Sequence, residues 1–145
     1  MKTSLNVRQN PGVLLLFATF VLLAALALRP IAELDLSGMV MFGLPMGRMV
    51  WTIPLFLLSF WVLYALTRTY LYSSIISWLH VLLTVIATLL IVMVLYMGIA
   101  PSPATIARHA LVGHTLQFLF LVLLLGQLMY VANVGLGIWK RTKAS

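Results

Sequence analysis

Nearly all the acid–base and ligand chemistry that this sequence offers resides in three histidines. His80 and His114 fall inside long apolar runs, and His109 lies at the edge of one. An ionisable group within a membrane-length run is costly to bury and marks a functional candidate by default. Two imidazoles converging on one iron would hold a haem, so a bis-histidine haem on His80 and His114 is the sharpest chemical reading. It requires both rings at one depth. Helical rise puts His80 ~12 Å from one membrane edge, counted from Tyr72, and His114 ~9 Å from the other, counted from Arg108. In a ~30 Å hydrocarbon core a gap of ~9 Å remains between them. The counting favours neutral histidines bonded to neighbouring hydroxyls or carbonyls. No cofactor is expected, and His80 and His114 are the candidates should a haem bind.

Other chemistries lack their parts. The only acids, Glu33 and Asp35, lie outside every apolar run, so the carboxylate that couples protons or cations in small transporters is missing. No acid can orient a Ser–His pair as in a hydrolytic triad, and no enzymatic activity is expected. The absence of cysteine removes disulfides, thiolate chemistry and Cys-type zinc or iron–sulfur sites. Met39, Met41, Met46 and Met49 crowd one loop and could offer thioethers to copper(I). Such a site needs several convergent ligands, and interfacial packing is the reading retained. Gly43 and Gly47 form a single GxxxG outside the clear spans.

Four apolar runs must position whatever chemistry there is: Gly12 to Leu28, Met49 to Leu66, Leu71 to Ile99 and His109 to Trp139. Each is close to or above the ~20 residues that cross a bilayer as helix. Of the 145 residues 63% are hydrophobic and 8% charged, and the mean hydropathy of +1.15 excludes a water-soluble domain. The expected fold is an all-α, four-helix transmembrane bundle of one domain, with spans 12–28, 49–67, 72–99 and 106–139.

Charge sets the orientation. Lys2, Arg8, Arg68, Lys140, Arg141 and Lys143 fall on one side of the four spans; Arg29, Arg48 and Arg108, with both acids, fall on the other. The positive-inside rule then places both termini in the cytoplasm of a bacterial inner membrane. Tyr64, Tyr70, Tyr72 and Trp139 near the inner boundary, with Trp51 and Tyr96 near the outer, fit aromatic belts. The net charge of +7 is thus explained by topology rather than by nucleic acid, since the basic residues form no patch interleaved with aromatics. Lys2 and Arg8 before an apolar stretch ending Ala25-Leu26-Ala27 also resemble a signal peptide. Asn10-Pro11-Gly12 reads as an N-cap with Pro at the first helical position, and a retained anchor is expected.

The third run is the most patterned. Ser73, Ser77, His80, Thr84 and Thr88 recur every three or four residues as a small polar stripe that must face protein. In the second run Pro54 should kink the helix, and Thr52 and Ser59 share a face. The fourth run could continue unbroken from Ser102-Pro103 to Trp139, ~55 Å, so it must tilt, bend near Gly113 or Gly126, or project beyond the bilayer. Its polar residues His114, Thr115, Gln117, Gln127 and Asn133 do not share one face and read as separate contacts with neighbouring helices.

Trp78-Leu79-His80 opens an apolar span that closes at Tyr96-Met97-Gly98-Ile99-Ala100-Pro101, and Leu125 to Asn133 precedes Lys140-Arg141. These segments resemble the last three helices of the haem–copper oxidase catalytic subunit, in its Lys-Ile-His helix, its Leu-Gly-Leu-Ala-Gly-Met-Pro closure and its final Leu-Tyr-Asn with a basic tail. The chain looks like the small four-span membrane proteins of Bacteroidetes-type bacteria that carry a truncated copy, over residues 45 to 141. The resemblance implies haem-protein ancestry without its ligands. Where the family begins a helix with His-Asp-Thr-Tyr and a His-x-His pair, this chain reads Leu44-Pro45-Met46-Gly47-Arg48. The family's copper ligands come from helices that this chain does not have. The expectation is a non-catalytic accessory or scaffold component of a respiratory-type membrane complex, in contact with lipid and with other membrane proteins or itself. An intramembrane haem or quinone binder is the alternative, and a small transporter a third class.

Overall fold

A computed structural model describes residues 10–28, 40–41, 44–98 and 105–143. The four expected helices are present: α1 (Gly12–Leu28), α2 (Met46–Thr67), α3 (Ser74–Gly98) and α4 (Thr105–Thr142). A two-residue antiparallel pair, β1 (Val40–Met41) with β2 (Leu44–Pro45), precedes α2, and a 3-10 turn at Arg68–Tyr70 joins α2 to α3. The all-α expectation holds, with shifted boundaries. α2 starts at Met46, directly after the paired Leu44–Pro45, and continues through Pro54. α3 starts at Ser74 with Ser73 at its cap: the Ser73 carbonyl accepts the first helical bond from Ser77 N at 3.2 Å, and its N–H is satisfied by Asn133 Oδ1 of α4.

Three of the helices, in windows Trp51–Tyr70, Ser74–Leu95 and Leu111–Thr142, are long and apolar enough to cross a membrane; α1 is equally apolar but has 17 residues. The outward faces carry Phe17, Phe20, Phe118, Leu121, Leu124 and Leu128, all exposed. This reverses the water-soluble pattern, and it defines a membrane protein.

Inward faces follow a seven-residue period. On α4 the seam reads Leu116, Leu119, Leu123, Gly126, Tyr130, Asn133 and Gly137, alternating steps of three and four; all are buried except the half-buried Leu123. α3 answers with Ser77, Val81, Thr84, Thr88 and Ile91, and α1 with Leu15, Thr19, Leu22 and Leu26, all buried. A 3.5-residue repeat keeps one stripe facing the partner along a long antiparallel pair. The helices form two hairpins, α1 with α2 and α3 with α4, and α1 also lies against α3. The main core draws on all four helices, with Leu15, Leu22, Leu57, Tyr64, Val81, Val85 and Tyr130. A second cluster of Ile91, Leu116 and Leu119 fills the other end.

Close approaches explain two glycines. A Cβ on Gly12 would lie 3.2 Å from Cβ of Tyr64, so the start of α1 sits tightly on the last turns of α2. A Cβ on Gly137 would collide with the backbone carbonyl of Tyr70, so the α2–α3 connector rests directly on α4. As expected for an unbroken fourth run, α4 is one continuous helix through Gly113 and Gly126.

Candidate functional site

The polar stripe of α3 faces protein, as its spacing required. Ser77, His80, Thr84 and Thr88 are all buried, and His80 is 0% exposed. What the stripe meets is richer than small-residue packing. From α2, the Tyr64 hydroxyl lies 2.9 Å from His80 Nδ1 and 3.3 Å from the Ser77 carbonyl. From α4, Gln127 Oε1 lies 3.1 Å from His80 Nε2.

The proton positions follow from the partners. Gln127 Nε2 is 3.2 Å from the Leu123 carbonyl, which can only accept, so the amide nitrogen must point there and the amide oxygen toward the histidine. Gln127 also donates to Thr84 Oγ1 at 3.3 Å. An oxygen facing Nε2 requires Nε2 to carry the hydrogen, and the neutral ring then accepts at Nδ1 from Tyr64. The three rings around the imidazole are Phe60, Tyr64 and Tyr130, with centroids 5.5, 5.6 and 5.3 Å away. Tyr130 shares a hydrogen bond of 2.8 Å with Thr67 Oγ1.

One helical turn or two toward the connector, Asn133 makes the second half of the network. Its Oδ1 accepts from Ser73 N at 2.9 Å, and its Nδ2 donates to Ser73 O at 3.0 Å and to Ser77 Oγ at 2.8 Å. Among the described residues no buried side-chain nitrogen or oxygen is left without a partner. A polar core in lipid must close on itself in this way, because hydrocarbon offers no substitute partner.

His80 and His114 are not brought together. His114 is exposed on α4, thirteen residues from the Gln127 that touches His80, a rise of ~20 Å. The earlier ~9 Å gap came from counting α4 into a 30 Å slab from Arg108. The level of Ser73 is instead fixed by Asn133, some ~38 Å of helix from Arg108. With both nitrogens of His80 engaged and His114 far off on the outer surface, the residues present do not fit a bis-histidine haem. His109 lies outside the described side chains, as do those of Met39, Met41, Met46 and Met49, Tyr96, and the Gly43–Gly47 pair. Among the described residues no three of His, Cys, Asp and Glu gather as a metal site would require.

Two further expectations are corrected. Tyr64 is no interfacial belt residue but 3% exposed, because its hydroxyl finds an imidazole inside the bundle. Of the polar residues of α4, Gln127 and Asn133 contact α3, whereas His114 and Gln117 are exposed and Thr115 bonds its own helix at Leu111 O. Thr52 and Ser59 are both exposed on α2, with Ser59 bonded to Phe56 O. Gln127 and Asn133 make the contacts with a neighbouring helix expected of them, whereas Tyr64 and Tyr130 have roles that polarity did not suggest; for Tyr130 the signal was the seven-residue seam of α4.

Fold and network together define a helical membrane protein with a closed polar interior centred on one histidine. No family model, curated protein or solved structure matches this chain.

Proposed function

We propose that this is a multi-pass protein of the bacterial inner membrane, with both termini cytoplasmic and no catalytic activity of its own, serving as a small accessory or scaffold component of a respiratory-type membrane assembly. The observation that carries this reading is the occupation of His80: both ring nitrogens are bonded inside the bundle, at 2.9 Å to Tyr64 and 3.1 Å to Gln127. A histidine used this way fastens α2, α3 and α4 to one another, a structural role. A haem or quinone on His80 would first have to break one of those bonds and leave a buried polar group unpaired, at a cost of ~1–3 kcal/mol. The respiratory setting is supported by the resemblance of residues 45 to 141 to the oxidase subunit's final helices. The assembly role is supported by the apolar, aromatic-bearing outer faces of α1 and α4.

The test combines two measurements on protein made with ample haem supply and extracted in mild detergent. An accessory component migrates in native gels well above its own mass with defined partner chains, and its absorption spectrum lacks a stoichiometric Soret band. A one-to-one haem content lost on His80→Ala or His114→Ala would replace this reading with the cofactor binder.

A further inference from the structure

α4 outruns its partner. Asn133 is level with Ser73, so residues 134–142 extend ~14 Å past the start of α3. The α2–α3 connector folds onto this extension. Tyr72 N donates to Asn133 O at 3.2 Å, the Tyr70 carbonyl sits on Gly137, and the Arg141 guanidinium donates to Thr69 O. Cations and rings from two separate segments are thereby interleaved. The Arg141 guanidinium lies 5.1 Å from the Tyr70 ring, Lys140 Nζ 5.5 Å from the Tyr72 ring and Lys143 Nζ 4.1 Å from the Trp139 ring. Arg68 stands beside Thr69 in the same connector. The three rings are 42%, 51% and 57% exposed, and the described residues include no carboxylate side chain.

Toward the bundle this collar gives way to exposed Leu66, Ile75 and Leu136, the last on the same face of α4 as Lys140 and Lys143. Cations above, aromatic rings between and aliphatic surface below match one kind of molecule in order: an amphiphile with a phosphate head, a glycerol level and acyl chains. We propose that this end of the bundle is a binding site for an anionic phospholipid, with Lys140, Lys143 and Arg68 meeting its phosphate and the Tyr70, Tyr72 and Trp139 rings seating its glycerol region. A soluble phosphate ester shares the head chemistry but would leave the aliphatic surface unused. The proposal needs only a bilayer around the bundle, and it stands or falls independently of any assembly partner.

The experiment is native mass spectrometry of delipidated full-length protein titrated with cardiolipin, phosphatidylglycerol, phosphatidylcholine or glycerol phosphate. Both anionic lipids should be retained at least about fivefold better than phosphatidylcholine, and Lys140→Gln and Lys143→Gln should each weaken that retention about fivefold, the scale of one basic residue at an anionic surface. Both side chains are exposed, so the variants should keep the wild-type melting temperature, and Arg108→Gln at the opposite end of α4 should leave retention unchanged. Equal retention of phosphatidylcholine, an equal loss with Arg108→Gln, or effective competition by glycerol phosphate would each overturn the site.

Discussion

Asn133 grips Ser73 by both functions of its amide, accepting from the Ser73 N–H at 2.9 Å and donating to the Ser73 carbonyl at 3.0 Å. A side chain thus does for one residue what a neighbouring strand would do, at the point where the chain turns from the connector into α3. Asn133→Ala should strand the Ser73 N–H, because the Ser73 carbonyl keeps the Ser77 N–H and hydroxyl as donors, destabilising the bundle by about 1–3 kcal/mol. Asn133→Asp keeps an acceptor for the Ser73 N–H but loses both donors, and should also destabilise. Unfolding in mixed micelles, followed by tryptophan fluorescence, measures both.

The Tyr64–His80 hydrogen bond can be isolated by a double-mutant cycle. Tyr64→Phe removes only the hydroxyl, so its cost in the wild type should exceed its cost in a His80→Leu background by about 0.6–1.7 kcal/mol, the range for interhelical bonds in lipid. Equal costs in the two backgrounds would mean that the pair is not coupled. His114→Ala, on the exposed face, should leave stability unchanged.

Gly126 and Gly137 lie on the same seam and should respond oppositely to alanine. A Cβ at Gly126 meets Thr84 Oγ1 at 3.5 Å and His80 Cδ2 at 3.7 Å, ordinary contacts, so Gly126→Ala should be neutral or stabilising, with ~1 kcal/mol available from helix propensity. At Gly137 the obstacle is the Tyr70 backbone, which cannot rotate away. Gly137→Ala should lift the connector off α4, lower the melting temperature and increase proteolysis at Arg68.

The proposed topology rests on the six-to-three division of basic residues. Reporter fusions after Ser145 and within Glu33 to Gly38 should fall on opposite sides of the membrane, the first in the cytoplasm. A periplasmic reporter at Ser145 would refute the orientation.

The stripe on α3 was readable because its members are chemically alike: hydroxyls and one imidazole stand out against Leu, Ile and Val every three or four residues. The facing seam on α4 has the same regularity but mixes Leu, Gly, Tyr and Asn, so no single residue type traces it. Sorting residues by polarity alone grouped Gln127 and Asn133 with His114 and Gln117, which point elsewhere. Tyr64 was misplaced for a related reason. Position near a span end suggests a belt, whereas its partner His80, sixteen residues on and across a turn, draws it inward. Depth counting rightly kept His80 and His114 apart but underestimated the gap, because it assumed helices of equal reach and α4 extends beyond the start of α3.

The seam on α4 also has a consequence for how the protein is made. Synthesis runs from α1 to α4, yet the Ser73 N–H, His80 Nε2 and the Thr84 hydroxyl find their partners only at Asn133 and Gln127 of α4. During translation α3 therefore enters the membrane with those three groups unanswered, and they stay so in the three-helix intermediate until α4 arrives. A ribosome stalled before residue 126 leaves that intermediate in lipid, recognisable to membrane proteases by its open face. Pulse-chase of a chain truncated there should show rapid degradation, and co-expression of α4 as a separate segment should restore its lifetime.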